Sequence, residues 1–460
     1  MKKPNIICTG MLDTKGPEIQ YLADVVRKNG GNPVFMDLSL GHEVDWADIT
    51  LTEVLAAVGI KKEEVFSAAR SDAFPIVGKA GAKKIAELYL QGKVDGIISW
   101  AGTMGTSTVT YVMRVLPVGV PKIMLCTSAS CDVSSWLGSK DIFIANPISE
   151  KGVNAITKKT VAAAAAGIVA MAKTVMEANE HAAENRKLAA VTLYGTTTPP
   201  AIHCAEYMEA NGWDTVYIHQ NGTGSVMEDM IRSGDIQAVF DLTPAEFVNT
   251  RFHSIFGVPE DWSGTRFTAA FEMGIPCVAG PGGVDQLAYG PIESVPPEFM
   301  NDFKTGVRLD YQGTGKPYCH NSAVTILIPT LNETVEFGQY MIEKLNRAKG
   351  PAVFLMPMRG WSAYDQSKEH ACAETGWSNP GATPAWIADE KKSEWSKRAT
   401  TMWDVIAKDW DHGNPNLDIL QCDLHILDPE YAELACEIMS DILNGTWKPG
   451  SHRNHSFILN

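Results

Sequence analysis

The chain has 460 residues, too many for one domain of ordinary size, so two or three domains are expected. Hydrophobic residues make up 45% and charged residues 20%, which excludes a disordered chain. The 39 basic and 54 acidic side chains give a formal charge of −15. That excludes a general nucleic-acid binder, which needs a basic face to displace counterions, but allows a local pocket for a small anion.

The first ten residues, Met1–Gly10, lack an apolar core long enough for a signal peptide. The most apolar run, Val161–Ala172, is short and alanine-rich for a membrane span, with lysines close on both sides. Nine cysteines are scattered singly with no C-x-x-C pair, which argues against a disulfide framework or a zinc ribbon. The expectation is a reduced, cytoplasmic protein with no membrane partner.

In chain order, Asn5–Thr9 reads as a strand, Gly10–Gly16 as a polar loop and Pro17–Lys28 as a helix. Asn29-Gly-Gly31 closes that helix and Val34–Leu38 is the next strand. Gly96–Trp100 and Gly119–Ile123 are further strands. A long alanine-rich helix over about 153–183 leads into the charged stretch Glu177–Lys187, the best domain boundary. The same order recurs beyond it: Leu188–Leu193, a Thr/Pro loop, a helix over Ile202–Glu209, a cap at Asn211-Gly212 and a strand over Thr215–His219. Either this is a duplication, or two unrelated βαβ units share glycine caps and short strands.

Strands alternating with helices predict an α/β protein of two doubly wound, parallel-sheet domains of the Rossmann or flavodoxin kind. The predicted domains are 1–183 and 187–445, followed by a tail, 446–460, in which His452 and His455 read as disordered; His181 reads as a solvated linker residue. Segment 361–410 holds six of the twelve tryptophans, which suits a lid, a subunit interface or a local core.

Ligands of such sheets sit beyond the carboxyl ends of the strands. No Walker loop and no G-x-G-x-x-G follows the first strand. Three loops of the first half nevertheless offer anion-binding groups: Gly10, Asp13, Thr14, Lys15 and Gly16; then Gly102, Gly105, Thr106 and Ser107; then Thr127 and Ser130. Asp13 or Asp132 would suit Mg²⁺. Capping alone also favours Gly, Ser, Thr and Asp in βα turns, so each loop by itself serves either role. In the second half, Glu246, Asp285, His320 and His425 stand at strand ends, where carboxylates and imidazoles act as general acid and base or hold a divalent metal. The identity of any metal is open, and a structural hydrogen bond is the alternative role for each histidine.

These loops resemble the Tm-one-like ATP-binding family, named after a tomato mosaic virus resistance protein. The carrying residues include Gly10–Gly16, Met113–Lys122, Gly222-Thr-Gly224, Asp241–Glu246, Asp285, Leu355–Gly360 and His425–Pro429, in family order over roughly 7–432. The resemblance implies two α/β subdomains and ATP, with Mg²⁺, bound by the first through Asp13–Gly16, Gly102, Gly105, Thr106 and Ser107. This chain has Ala101-Gly-Thr-Met-Gly-Thr106 where the family tends to have Gly-Gly-Ser-Gly-Gly-Thr, which adds apolar bulk beside the phosphate position. Segment 366–378 is also longer than the family's loop.

Three functions follow as expectations. One is an ATP-dependent small-molecule enzyme with its ligand in the cleft between two domains. A second is a hydrolase using a divalent metal such as Mn or Zn to cleave a carbon–carbon bond of a small oxo or cyclic diketone compound. The third is a non-catalytic interaction protein. A small-molecule substrate and a homo-oligomer are the expected partners.

Overall fold

A computed structural model describes residues 2–138, 140–181, 187–257, 266–309, 314–367 and 386–459. The chain forms two compact units, Met1–Asn185 and Arg186–Asn460.

In the first unit the strands are β1 (Asn5–Gly10), β2 (Asn32–Asp37), β3 (Gly96–Ala101), β4 (Lys122–Cys126) and β5 (Ile142–Ala145). All are parallel, in the order β2-β1-β3-β4-β5. Alternate side chains serve opposite faces of the sheet. Ile7, Ile97 and Met124 meet helices Arg70–Leu90 and Thr103–Arg114. Ile6, Cys8, Ile98, Trp100 and Leu125 meet helices Leu12–Lys28 and Thr157–His181. Both faces of the central strands are covered, which is why they read as unbroken apolar runs. Each fully buried leucine or isoleucine of these layers contributes about 1.5–3 kcal/mol.

Helix Leu12–Lys28 begins five residues earlier than its spacing suggests, so most of the run read as a loop is its first turn. Pro17 lies inside it, and the backbone at Lys15 is bent away from helical values (φ −119°, ψ 16°). A proline has no N–H to give and disfavours helical geometry ahead of it. Strand β5 escaped the sequence reading. Helix Thr157–His181 includes a stretch, Thr157–Asn179, that by length and composition alone could cross a bilayer. Its stripe Val161, Ala165, Ile168, Val169 and Ala172 is buried in the unit's own core.

The second unit carries β6 (Leu188–Leu193), β7 (Asp214–His219), β8 (Ala238–Asp241) and β9 (Cys277–Ala279). A small antiparallel sheet follows, of β10 (Leu287–Tyr289), β11 (Tyr318–Asn321) and β12 (Val324–Leu327) in the order β10-β12-β11. Strands β13 (Ala352–Pro357) and β14 (Leu417–Cys422) complete the main sheet, which is parallel in the order β14-β13-β9-β8-β6-β7. Counted from its own first strand that order is 2-1-3-4-5-6, so the first unit's 2-1-3-4-5 plan recurs with one strand added. The architecture is α/β with two doubly wound parallel sheets. In each, strand order reverses beside the first strand, and the crevice there is where such sheets take ligands.

The tryptophan-dense segment builds core. Trp361 is fully buried, and Trp395, Trp403 and Trp410 pack against the same cluster; Trp377 and residues 368–378 lie outside the described residues, as does the His181 side chain. The tail is ordered against the sheet rather than loose. Ile458 bridges to Cys422, Leu459 N–H donates to the Gln421 carbonyl, and His452 Nε2 lies 3.2 Å from Asp441. Apolar Phe457 and Ile458 find cover on that edge, which offsets the polarity of their neighbours.

Candidate functional sites at the two strand edges

In the first unit the loops after β1, β3, β4 and β5 meet. Lys15 Nζ donates to the Glu150 backbone carbonyl and lies 3.6 Å from its carboxylate. The other carboxylate oxygen accepts from Thr127 Oγ1 at 2.5 Å. Gly102 stands before helix Thr103–Arg114, and a Cβ there would lie 2.8 Å from Glu150 Oε1. The Thr103 and Ser128 hydroxyls are 2.9 Å apart. So Lys15, Gly102 and Thr127 come together, joined by Thr103, Ser128 and Glu150, which sequence reasoning missed. The signal for Glu150 was the short apolar run Ile142–Ala145, which makes residues 146–152 another strand-end loop.

The other expected residues have varied surroundings. Asp13 Oδ2 accepts from the Gly41 N–H at 2.8 Å, and its Oδ1 is buried without a partner. The Thr14 hydroxyl returns to the Met11 carbonyl. Gly10 and Gly16 lie where a Cβ would press on Ser99 and Trp46, and Gly105 where it would meet Ala101. The Thr106 hydroxyl is buried with no partner, and Ser107 accepts from Trp136 Nε1 at 2.9 Å. Ser130 is exposed. Asp132 accepts from Ser134 N–H, which holds its carboxyl below the usual range.

In the second unit a fully buried guanidinium, Arg266, grips Asp241 with two bonds of 2.6 and 2.7 Å and reaches Glu228 at 3.3 Å and Gln220. Glu246 Oε1 accepts from the N–H groups of Gly222 (2.6 Å) and Gly224 (3.0 Å), at the start of helix Gly224–Ser233. The carboxylate thus fills the anion position a helix start provides. Its Oε2 lies 3.7 Å from Arg266 Nε, beyond hydrogen-bond reach. Burial pushes the Glu246 carboxyl up to about 7, against the opposing pull of Arg266 and the two glycine N–H groups.

Asp285 is fully buried, with Ser362 Oγ donating to it at 2.6 Å. Asp365, also buried, accepts from Ser396 and is raised by burial to about 7. His425 is buried as well. Its Nδ1 accepts from the Leu427 N–H, so its Nε2 donates to the Asp365 carbonyl at 3.0 Å. His320 sits exposed on β11. Of Glu246, Asp285, His320 and His425, two share a neighbour: the Asp365 carbonyl accepts from His425, and its carboxyl feels the Asp285 charge. Among the described residues no three His, Cys, Asp or Glu side chains gather as a metal-ligand set, so these four do not fit a metal. The glycines of Gly280-Pro-Gly-Gly283 are needed for packing: added Cβ atoms would strike Tyr431, Leu242 and Tyr194.

A cavity of about 290 Å³ opens beyond the ends of β6 and β7, lined by Tyr194, Thr196, His219, Gln286, His320 and Tyr364 among others. The sequence reading singled out only His320 of these. A second cavity, of about 340 Å³, lies in the first unit beside Phe74, Met104 and Tyr111.

These features define a doubly wound α/β protein of two units. Family models for the N-terminal and C-terminal domains of uncharacterised protein family UPF0261 match residues 4–177 and 186–378. The chain belongs to that family. A UPF0261 protein of Clostridium tetani is 34% identical over 79% of this chain and 86% of its own length. One from Rhizobium meliloti is 31% identical over 95% of this chain and 99% of its own. The tomato ToMV resistance protein Tm-1(GCR237) is 29% identical over 79% of this chain; the match spans 48% of the tomato protein.

Proposed function

We propose that this protein is a small-molecule enzyme whose first unit binds a nucleotide, with ATP and Mg²⁺ the leading ligand. One observation carries the reading: three loops place an amine, a glycine-started helix and three hydroxyls around one point at the reversal of strand order. The carboxylate now at that point belongs to Glu150, whose side chain is 67% exposed and can leave. Phosphate oxygens would take its place on Lys15, Thr103, Thr127 and Ser128. Met104 lines the neighbouring apolar cavity with Phe74 and Tyr111, a wall suited to a base. Bound ATP would supply a transferable phosphoryl group; the residues here bind and orient it.

Calorimetric titration with Mg-ATP tests the proposal. Binding is expected, weakened about tenfold or more by Lys15→Ala, because a charge-assisted contact to phosphate is worth about 1.5–3 kcal/mol. No heat at millimolar nucleotide would remove the reading.

A further inference from the structure

The cavity of the second unit lies beyond the ends of β6 and β7, on the side where strand order reverses between β6 and β8. Its floor is dry: Tyr194, Ala288 and Tyr364 are buried. Its rim is wet, with His219 and His320 exposed on β7 and β11. Ring faces dominate the walls. The Tyr194 ring lies 5.7 Å from His219 and 6.3 Å from Phe256, and Tyr364 packs edge-on against Tyr318 at 5.4 Å. Such walls favour a flat occupant, which can stack or meet ring edges. The volume, about 290 Å³, falls at the small end of ligand pockets and suits about a dozen heavy atoms.

The polar groups specify more. Gln286 Nε2 donates to Thr196 Oγ1 at 2.9 Å, so the threonine's own proton points elsewhere and has no acceptor among the described residues. Thr196 lines the cavity, which makes that proton a donor for an oxygen of the ligand. No lysine or arginine lines the cavity among the described residues. A phosphate buried here would have no cation to repay its desolvation. The strand-end loops of the first unit, by contrast, do carry a cation, Lys15.

We infer that this cavity binds a compact planar carbonyl compound, neutral or singly charged, with its oxygen on Thr196 and its flat body between the Tyr194 and Tyr364 side. The inference does not rest on nucleotide binding, which concerns the other unit.

Saturation-transfer NMR on the full chain tests it, with cyclohexane-1,2-dione, 4-hydroxyacetophenone and phenylpyruvate as probes and phosphoenolpyruvate as the charged counterpart. Transfer to at least one carbonyl probe and none to phosphoenolpyruvate is expected. Ala288→Leu, which fills the floor, should abolish the signal. Thr196→Val should weaken binding about tenfold and His320→Ala, at the exposed rim, about threefold, with Mg-ATP binding unchanged in both. Should Ala288→Leu fail to fold, His320→Ala and Thr196→Val decide. Silence from all three probes at millimolar concentration overturns the inference. So does transfer that survives the variants, or phosphoenolpyruvate binding as well as the carbonyl probes.

Discussion

Glu150 in the first unit and Glu246 in the second follow different strands, β5 and β8, yet have similar neighbours. Each carboxylate sits against a glycine at the start of a helix, Gly102 or Gly224, and beside a cation, Lys15 or Arg266. Their exposure differs. Glu150 is 67% exposed on a loop although its partner Lys15 is only 11% exposed, whereas Glu246 and Arg266 are both fully buried. The same grouping of charges is therefore exchangeable in one place and structural in the other. A carboxylate that reaches water, as Glu150 does, can leave its cation at a cost of about 1 kcal/mol or less. Out of water the partners cannot be parted without leaving a charge stranded.

The largest expected effect breaks the buried member. Arg266→Met removes the guanidinium that faces Asp241, Glu228 and Glu246 and should destabilise the second unit by about 3–5 kcal/mol. Lys15→Met in the first unit should cost less, about 1–2 kcal/mol, because its partner Glu150 is 67% exposed and is left solvated. Urea unfolding of the two variants checks the contrast; equal losses would dissolve the distinction between the sites.

The glycines sharpen it next. A Cβ on Gly224 would lie 2.0 Å from Glu246 Oε2 and 2.5 Å from Arg266 Nε, both fixed in the network. Gly224→Ala should cost about 3 kcal/mol or more. At Gly102 the nearest atom is the tip of the exposed Glu150 side chain, which can swing aside, so Gly102→Ala should change stability by under about 0.5 kcal/mol. Thermal unfolding of both alanine variants measures this.

Much of this arrangement was legible in the sequence, and the losses have physical reasons. Strand-loop-helix order, the parallel sheets and the recurrence of one plan follow from apolar runs and glycine caps, because local pattern decides them. The meeting of Lys15, Gly102 and Thr127 at one edge follows from topology. Glu150 was missed because β5 is four residues long and gives little pattern. Arg266 was missed because its partners, Asp241, Glu228 and Gln220, are brought to it only by folding. The burial of His425 and Asp285 is invisible in a linear reading. The cavity's Tyr194, Thr196 and Gln286 stand in segments of ordinary composition.

The buried carboxyl also carries a pH signature. Glu246 has an ordinary value of 4.5, which the unfolded chain keeps, and folding raises it to about 7. Between those values the folded state holds the extra proton, so the group's stabilising contribution is complete below pH 4.5 and is lost as pH rises through about 7. Glu246→Gln should flatten the fall in stability between pH 5 and pH 7 by up to about one proton's worth of slope. Asp365, raised to about 7 by the same cause, adds to the same fall, as do the raised carboxyls of Glu228, Asp285 and Asp37. Urea midpoints across that range test it, and an unchanged slope would refute the assignment.

The smallest effect falls on the exposed member and concerns binding rather than folding. If Glu150 holds the place of phosphate on Lys15 and Thr127, a nucleotide must first displace its carboxylate. Glu150→Gln keeps the side chain's length and its capacity to accept from Thr127 while removing the charge that competes for Lys15. Because Glu150 itself is 67% exposed, stability should hardly move, and Mg-ATP affinity should rise by about three- to fivefold, the worth of an ion pair with a solvated member. Raised salt should shrink the difference between variant and parent, since screening weakens the same competition. Weaker binding by the glutamine variant would mean instead that Glu150 supports the ligand, and the two carboxylates would then no longer be counterparts.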